Sequence, residues 1–180
     1  MSHLVRLVRH GEPAVDGTLD PGLTALGHEQ AAALVARVGQ AALRTSPLRR
    51  ARETAAPLEA AWGTEATVDP AFRELPSPHT DTAGRQAWLR TAMGVTFAEL
   101  DPLQRDWRDG IIAAVRSLPA DTVVTTHAVV INAVTGWCSD DDSVLAWVPA
   151  HCSVTTVRVE AGGRLTLVAR GEGRATGPVV

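Results

Sequence analysis

The chain has no lysine and no tyrosine, and only two of its 180 residues are cysteine. Cys138 and Cys152 do not have the spacing of a metal-binding pair and read as reduced, packed thiols of a cytoplasmic protein. No apolar run approaches the roughly 20 residues of a membrane-spanning helix. Residues 1 to 20 carry charges throughout and contain no signal-peptide core. A formal net charge of −3 argues against a nucleic-acid partner. Every basic side chain other than histidine is arginine, alanine is abundant, and isoleucine and asparagine are scarce. That pattern fits a GC-rich coding sequence. The number of arginines is therefore no sign of phosphate binding; only their positions are. The length fits one domain over residues 1–180, enough to bury roughly 70% of the unfolded surface without staples.

What is present begins at Leu4. The apolar run Leu4-Val5-Arg6-Leu7-Val8 stops at Arg9-His10-Gly11-Glu12. Such a run suits a buried parallel strand, and open α/β sheets bind ligands at the carboxyl ends of their strands. Arginine recognises phosphate with a bidentate, permanent charge. Histidine is a nucleophile near neutral pH. The pair points to phosphoryl transfer through a phosphohistidine.

Further elements follow from periodicity and punctuation. Residues 3 to 9 read as a strand, and Thr24 as the N-cap of a helix to about Gly39 with Ala31, Leu34, Val35 and Val38 on its apolar face. A strand at 42–45 precedes a helix at 48–61 with Leu48, Ala51, Ala55 and Leu58 inward. Residues 66–75 read as extended or irregular, and a helix follows over 83–93. Asp101 and Pro102 open a helix that turns Leu103, Trp107, Ile111, Ala114 and Leu118 inward. Val123 to Thr126 form a strand ending at His127, followed by a helix over 128–137. Val154–Val159 and Leu165–Ala169 make a closing pair around Gly162-Gly163. Gly173 to Val180 read as a frayed end. The alternation predicts a three-layer α/β/α sandwich on a mainly parallel central sheet.

Two strands thus end in histidine, His10 and His127. A third strand end, Ser46-Pro47-Leu48-Arg49-Arg50, opens a helix with arginines in its first turn. Cations there oppose the helix dipole, a local cost that is tolerable if they hold an anion. Arg49 and Arg52 read as solvated.

Arg9-His10-Gly11-Glu12, Leu23-Thr24-x-x-Gly27-x-x-Gln30-Ala31, Ser46-x-Leu48-x-Arg50-Ala51-x-x-Thr54-Ala55 and Val-Val-Thr-Thr-His127 occur in one order over nearly the whole chain. This combination resembles the histidine phosphatase superfamily, the family of phosphoglycerate mutases and broad-specificity acid phosphatases. The resemblance implies a phosphoglycerate mutase-like fold. It implies His10 as the phosphorylated nucleophile, and Arg9 and Arg50 as arginines on the phosphoryl oxygens. His127 becomes a second histidine donating to those oxygens, with Gly11 and Ala128 beside them. Glu74, in Phe72-Arg73-Glu74-Leu75, matches the acid that protonates the leaving oxygen and later activates water. Asp81 and Glu12 are the other carboxylates that could serve. No metal or cofactor is implied, because arginines supply the charge.

The chain departs from the family's pattern at three places. The stretch after Glu74 runs Leu75-Pro76-Ser77-Pro78-His79-Thr80-Asp81. Asp16 stands where many members have asparagine, six residues after the nucleophile, and its charge repels phosphate unless the loop turns away or an arginine neutralises it. Ala128 stands where many have glycine. The resulting expectation is a phosphatase acting on a small phosphomonoester, a phosphohistidine or a phosphoprotein. The alternatives are a phosphoglycerate mutase-type transferase, and a catalytically weak regulatory or binding member. Compactness between Leu75 and Asp121 favours transfer to water. Substrate identity and oligomeric state are not legible. Trp88, Phe97 and Trp107 read as core.

Overall fold

The computed structural model describes residues 1–175. In chain order it comprises β1 (His3–Arg9), α1 (Ala25–Ala33), β2 (Ala42–Thr45), α2 (Arg49–Trp62), β3 (Thr67–Val68), α3 (Thr82–Ala92), α4 (Pro102–Ser117), β4 (Thr122–Thr126), α5 (Ala128–Ser139), β5 (Trp147–Pro149), β6 (Val154–Val159), β7 (Leu165–Ala169) and β8 (Gly173–Ala175). The central sheet has six strands in the order β3-β2-β4-β1-β6-β7. The pairings among β3, β2, β4 and β1 are parallel, and β6 is antiparallel to both its neighbours.

Alternation along the central strands builds a core on each face. Val5 and Leu7 of β1 and Val124 of β4 face a cluster with Ile111, Ile112 and Val115 of α4 and Val130, Ile131 and Val134 of α5. Val8 and Val123 face the other way, onto Ala31, Leu34, Ala55 and Leu58 of the α1–α2 side. Helices therefore cover both faces, and the fold is the expected α/β/α sandwich. β4 is buried along its whole length, as its run of β-branched residues requires.

Several boundaries differ from expectation. The first helix keeps α geometry only to Ala33 and tightens to a 3-10 turn at Leu34–Ala36, which leaves Val35 39% exposed. In α4 Leu103 is 58% exposed and Gln104 takes the buried place. The Gln104 side-chain amide then has work inside: it donates to the Pro76 carbonyl at 2.8 Å. Asp101 precedes α4 with Pro102 in the first turn, but its side chain makes no capping bond. Residues 173–175, expected to fray, instead form β8, which pairs antiparallel with β5 as a separate two-stranded sheet. The remainder of that expected frayed end, 176–180, lies outside the described residues. Phe97 is buried, and Trp88 and Trp107 pack partly buried against the same core.

Candidate active site

Parallel pairing of β1 with β4 sets Arg9 opposite Thr126, so the residues that follow, His10 and His127, emerge side by side. The His10 amide donates to the Thr126 carbonyl at 2.9 Å. The two imidazole centroids lie 5.3 Å apart. This is the carboxyl edge of the sheet, where such folds place ligands.

His10 is only 5% exposed. Its Nδ1 lies 2.7 Å from the Gly11 carbonyl, an acceptor only, so Nδ1 carries the proton and Nε2 keeps a free lone pair. Burial holds its pKa well below the ordinary value, and the charges of Arg50 and Arg9 add to that effect. The ring is therefore neutral at physiological pH, as a nucleophile must be. Gly11 spends both backbone groups on the scaffold: its carbonyl holds His10 and its N–H donates to Thr54 Oγ1 at 3.0 Å. A Cβ on Gly11 would lie 2.6 Å from the Gly27 carbonyl, so the backbone passes α1 too closely for any side chain.

His127 is fully buried. Its Nε2 lies 2.7 Å from Ser46 Oγ, and that oxygen also accepts the Leu48 N–H. In the arrangement where the Ser46 hydroxyl donates to Nε2, His127 carries its proton on Nδ1. Nδ1 is buried with no hydrogen-bond partner, and Glu74 Oε2 stands 3.8 Å away. Burial first, then Arg50 and His10, keep His127 from protonating further.

Arg9 and Arg50 complete the arrangement. The Arg9 Nη1 donates to the Pro149 carbonyl, and its buried Nε has no partner. Arg50, 8% exposed, stands in the first turn of α2, with Nη1 3.9 Å from Asp20 Oδ1. Thr54, one turn on, bonds the Arg50 carbonyl at 2.7 Å as well as Gly11, and so ties α2 to the loop after His10.

Glu74 turns inward, with its side chain 13% exposed. Three neighbours hold the backbone around it. Thr126 Oγ1 donates to the Phe72 carbonyl at 2.9 Å, the Trp107 indole to the Arg73 carbonyl at 3.2 Å, and Gln104 to Pro76. Burial pushes the Glu74 pKa up, against the pull of Arg50, the Leu75 N–H and Arg9. Asp81 and Glu12 are otherwise engaged. Asp81 is the N-cap of α3 and accepts the Gly84 N–H, while Glu12 accepts the Thr24 hydroxyl at 2.7 Å. Asp16 is exposed and folds its carboxylate into its own turn, accepting from the Thr18 N–H and hydroxyl. Arg49 is exposed and pairs with Glu53 at 2.7 Å, and Arg52 is exposed. Ala128, half-buried, opens α5 directly after His127.

Sequence reasoning missed His151. Its ring centroid lies 5.9 Å from that of His10, brought there by the Cys152 N–H to Arg9 carbonyl bond. The apolar run Val144–Ala150 ends at His151, a signal of the same kind as at His10 and His127, but Pro149 inside the run argues against reading it as a strand. Two clefts flank the two histidines. One of about 430 Å3 contains Glu74, Arg85 and Trp107; the other, of about 600 Å3, contains Arg9, His151 and Arg174. A larger groove of about 720 Å3 lies on α2 and β3, away from the histidines. Among the described residues, no three His, Cys, Asp or Glu side chains converge as a metal-binding group, and no helix is long and apolar enough to cross a membrane.

An α/β/α sandwich thus carries paired histidines at its strand ends, with Arg9 and Arg50 beside them. The comparisons with known proteins agree. The model of the histidine phosphatase superfamily, branch 1, matches residues 5–170, and the chain belongs to that family. Among solved structures, a mycobacterial glucosyl-3-phosphoglycerate phosphatase superposes with a TM-score of 0.66 at 19% identity, over 98% of this chain and all of that one. A protein titled mycobacterial hydrolase 2 gives 0.70 at 20% identity, over 98% and 94%. A phosphoglycerate mutase from Thermus thermophilus gives 0.59 at 24% identity, over 93% and 99%. At these identities the likeness concerns the fold. A search of curated protein sequences finds no match.

Proposed function

We propose that the protein is a phosphomonoesterase that works through a covalent phosphohistidine on His10. The observation that carries this reading is the fixed tautomer of His10: Nδ1 is held by the Gly11 carbonyl, so the lone pair on Nε2 is free. The unpartnered donors Arg9 Nε and His127 Nδ1, with Arg50, match what the equatorial oxygens of a transferring phosphoryl group require.

In the first step Nε2 of His10 attacks phosphorus, and the bond from phosphorus to the ester oxygen breaks. Glu74, which burial pushes toward its protonated form, gives its proton to that oxygen, and the alcohol leaves. In the second step Glu74, now ionised, takes a proton from water as the water oxygen attacks the phosphoryl group. The bond from His10 to phosphorus breaks, inorganic phosphate leaves, and both groups regain their starting states. Arg9, Arg50 and His127 stay on the equatorial oxygens throughout. No metal takes part in this scheme.

Hydrolysis is preferred over mutase chemistry because the segment between Leu75 and Asp121 is compact and carries no long insertion to shield the site from water. A catalytically weak member is disfavoured because Asp16 turns its charge away into the Thr18 turn. Rapid quench with a labelled phosphomonoester should trap an acid-labile, base-stable phosphoenzyme in the wild type and none in His10→Ala. Equal labelling of the two proteins would remove His10 as the nucleophile. Conversion of 3-phosphoglycerate to 2-phosphoglycerate faster than phosphate release would replace hydrolysis by mutase chemistry.

A further inference from the structure

The alcohol half of the substrate is left open by the chemistry at His10, but the cleft beside Glu74 bears on it. The inference rests on Glu74 facing the leaving oxygen. In that case the alcohol lies in the cleft of about 430 Å3. Leu19 and Trp107 supply its apolar surface, and Arg73 and Arg85 its positive charge.

Arg85 is the unusual member. It stands in the first turns of α3, half-buried, and its charge is felt at Arg50, His127 and Glu74. Among the described residues its side chain forms no hydrogen bond and no ion pair. Nearby Asp81 is occupied by the Gly84 N–H. A tether joins α3 to the loop that carries Leu19, since Thr82 Oγ1 donates to the Gly17 carbonyl at 3.3 Å. An arginine with no ion pair, lining the cleft beside Glu74, is placed to take an anionic group of the substrate.

We propose that Arg85 is a specificity residue that binds a second anionic group, carboxylate or phosphate, on the alcohol half of the substrate. Natural substrates are then phosphomonoesters with an anion a short chain away from the ester oxygen. Arg73, more exposed and acting only on Arg50, contributes less.

The test uses three esters of one chain length: hydroxypropyl phosphate, which has a neutral end, carboxyethyl phosphate and propanediol bisphosphate. The aryl ester p-nitrophenyl phosphate is the reference. Wild-type kcat/KM should favour at least one anionic ester over the neutral one by about tenfold to a hundredfold, the range of a charge-assisted hydrogen bond. The anionic ester that is favoured separates carboxylate from phosphate. Arg85→Gln should remove most of that preference, mainly through KM, whatever it does to the neutral ester. Arg85→Lys should restore part of it, and Arg73→Gln should lower it less. A wild type that hydrolyses the aryl ester but shows no preference for either anionic ester overturns the inference alone. So does an Arg85→Gln variant that loses all esters in equal proportion. A wild type that hydrolyses none of the four overturns the phosphatase reading itself.

Discussion

Thr54 offers a direct test of how the nucleophile is held. Its hydroxyl accepts the buried Gly11 N–H at 3.0 Å and donates to the Arg50 carbonyl at 2.7 Å. Thr54→Val keeps the shape and removes both bonds. The Gly11 N–H is then buried without a partner, which costs about 1–3 kcal/mol. In a chain of this size each kcal/mol lowers the melting midpoint by about 2–4 °C, so a fall of roughly 2–12 °C is expected. Thr54→Ser keeps the hydroxyl and loses one methyl group, a cost of about 0.8 kcal/mol. Activity separates the two variants further. Gly11 fixes the His10 ring through its carbonyl, so a displaced Gly11 lets Nε2 leave the line of attack. A misplacement on the order of 1 Å costs up to about 10²-fold. Thr54→Val should therefore lose about tenfold to a hundredfold in kcat with little change in KM, while Thr54→Ser stays within a few-fold of wild type. Thermal unfolding followed by circular dichroism, with hydrolysis of p-nitrophenyl phosphate, reads both quantities. A valine variant that matches the serine variant in midpoint and kcat would show that the hydroxyl holds nothing.

The other predictions concern charge and protons. Arg50→Ala should lose about 2.7–4 kcal/mol of transition-state stabilisation, or about 10²–10³ in turnover, whereas Arg49→Ala and Arg52→Ala should stay near wild type; comparable losses in all three would misplace the phosphoryl group. Glu74→Gln should slow a poor alkyl leaving group far more than an aryl one, and wild-type kcat on the alkyl ester should fall as pH rises through the elevated Glu74 pKa. Because that pKa is raised on folding, ionising Glu74 costs stability: the cost is absent below the ordinary carboxyl range and full above the folded value. Glu74→Gln should thus melt higher than wild type at about pH 8 and not at about pH 4. Activity should survive EDTA and be inhibited by vanadate, a mimic of the transferring group; loss on chelation with recovery on adding magnesium or zinc would reject the mechanism.

What was legible in the chain was what repeats or stops locally. β1, β2, β6 and β7 stand out as apolar or alternating runs with clear ends, and their bounds match expectation to the residue. The two strand-end histidines were visible for the same reason. That they meet depends on β1 pairing with β4 across more than a hundred residues, which no local pattern shows. β5 and β8 were invisible. Each is three residues long, one contains Pro149 and the other begins at Gly173, and they find each other only in the folded chain. Glu74 lay in an irregular stretch where its direction is set by Thr126, Trp107 and Gln104, none of them near it in sequence. Leu103 was misread because helical periodicity cannot tell which side of α4 the loop after Glu74 will cover. Asp16 stands out because it replaces the family's asparagine with a charge, and the Thr18 turn that redirects it is a two-residue detail.

The Arg9 guanidinium is held by the Pro149 carbonyl, and Pro149 belongs to the small β5–β8 sheet outside the main one. Trp147 of β5 rests on Asn132 of α5 on one side and under the Arg170 guanidinium on the other. The setting of Arg9, one of the two arginines proposed to bind the phosphoryl group, is thus delegated to a satellite that the six-stranded sheet does not need for its own pairing. Drift in that satellite can retune the angle and reach of Arg9 while the nucleophile, its carbonyl anchor and the central strands stay untouched. In a lineage that keeps one scaffold and changes substrates, such a separation lets selection act on affinity and on folding through different residues.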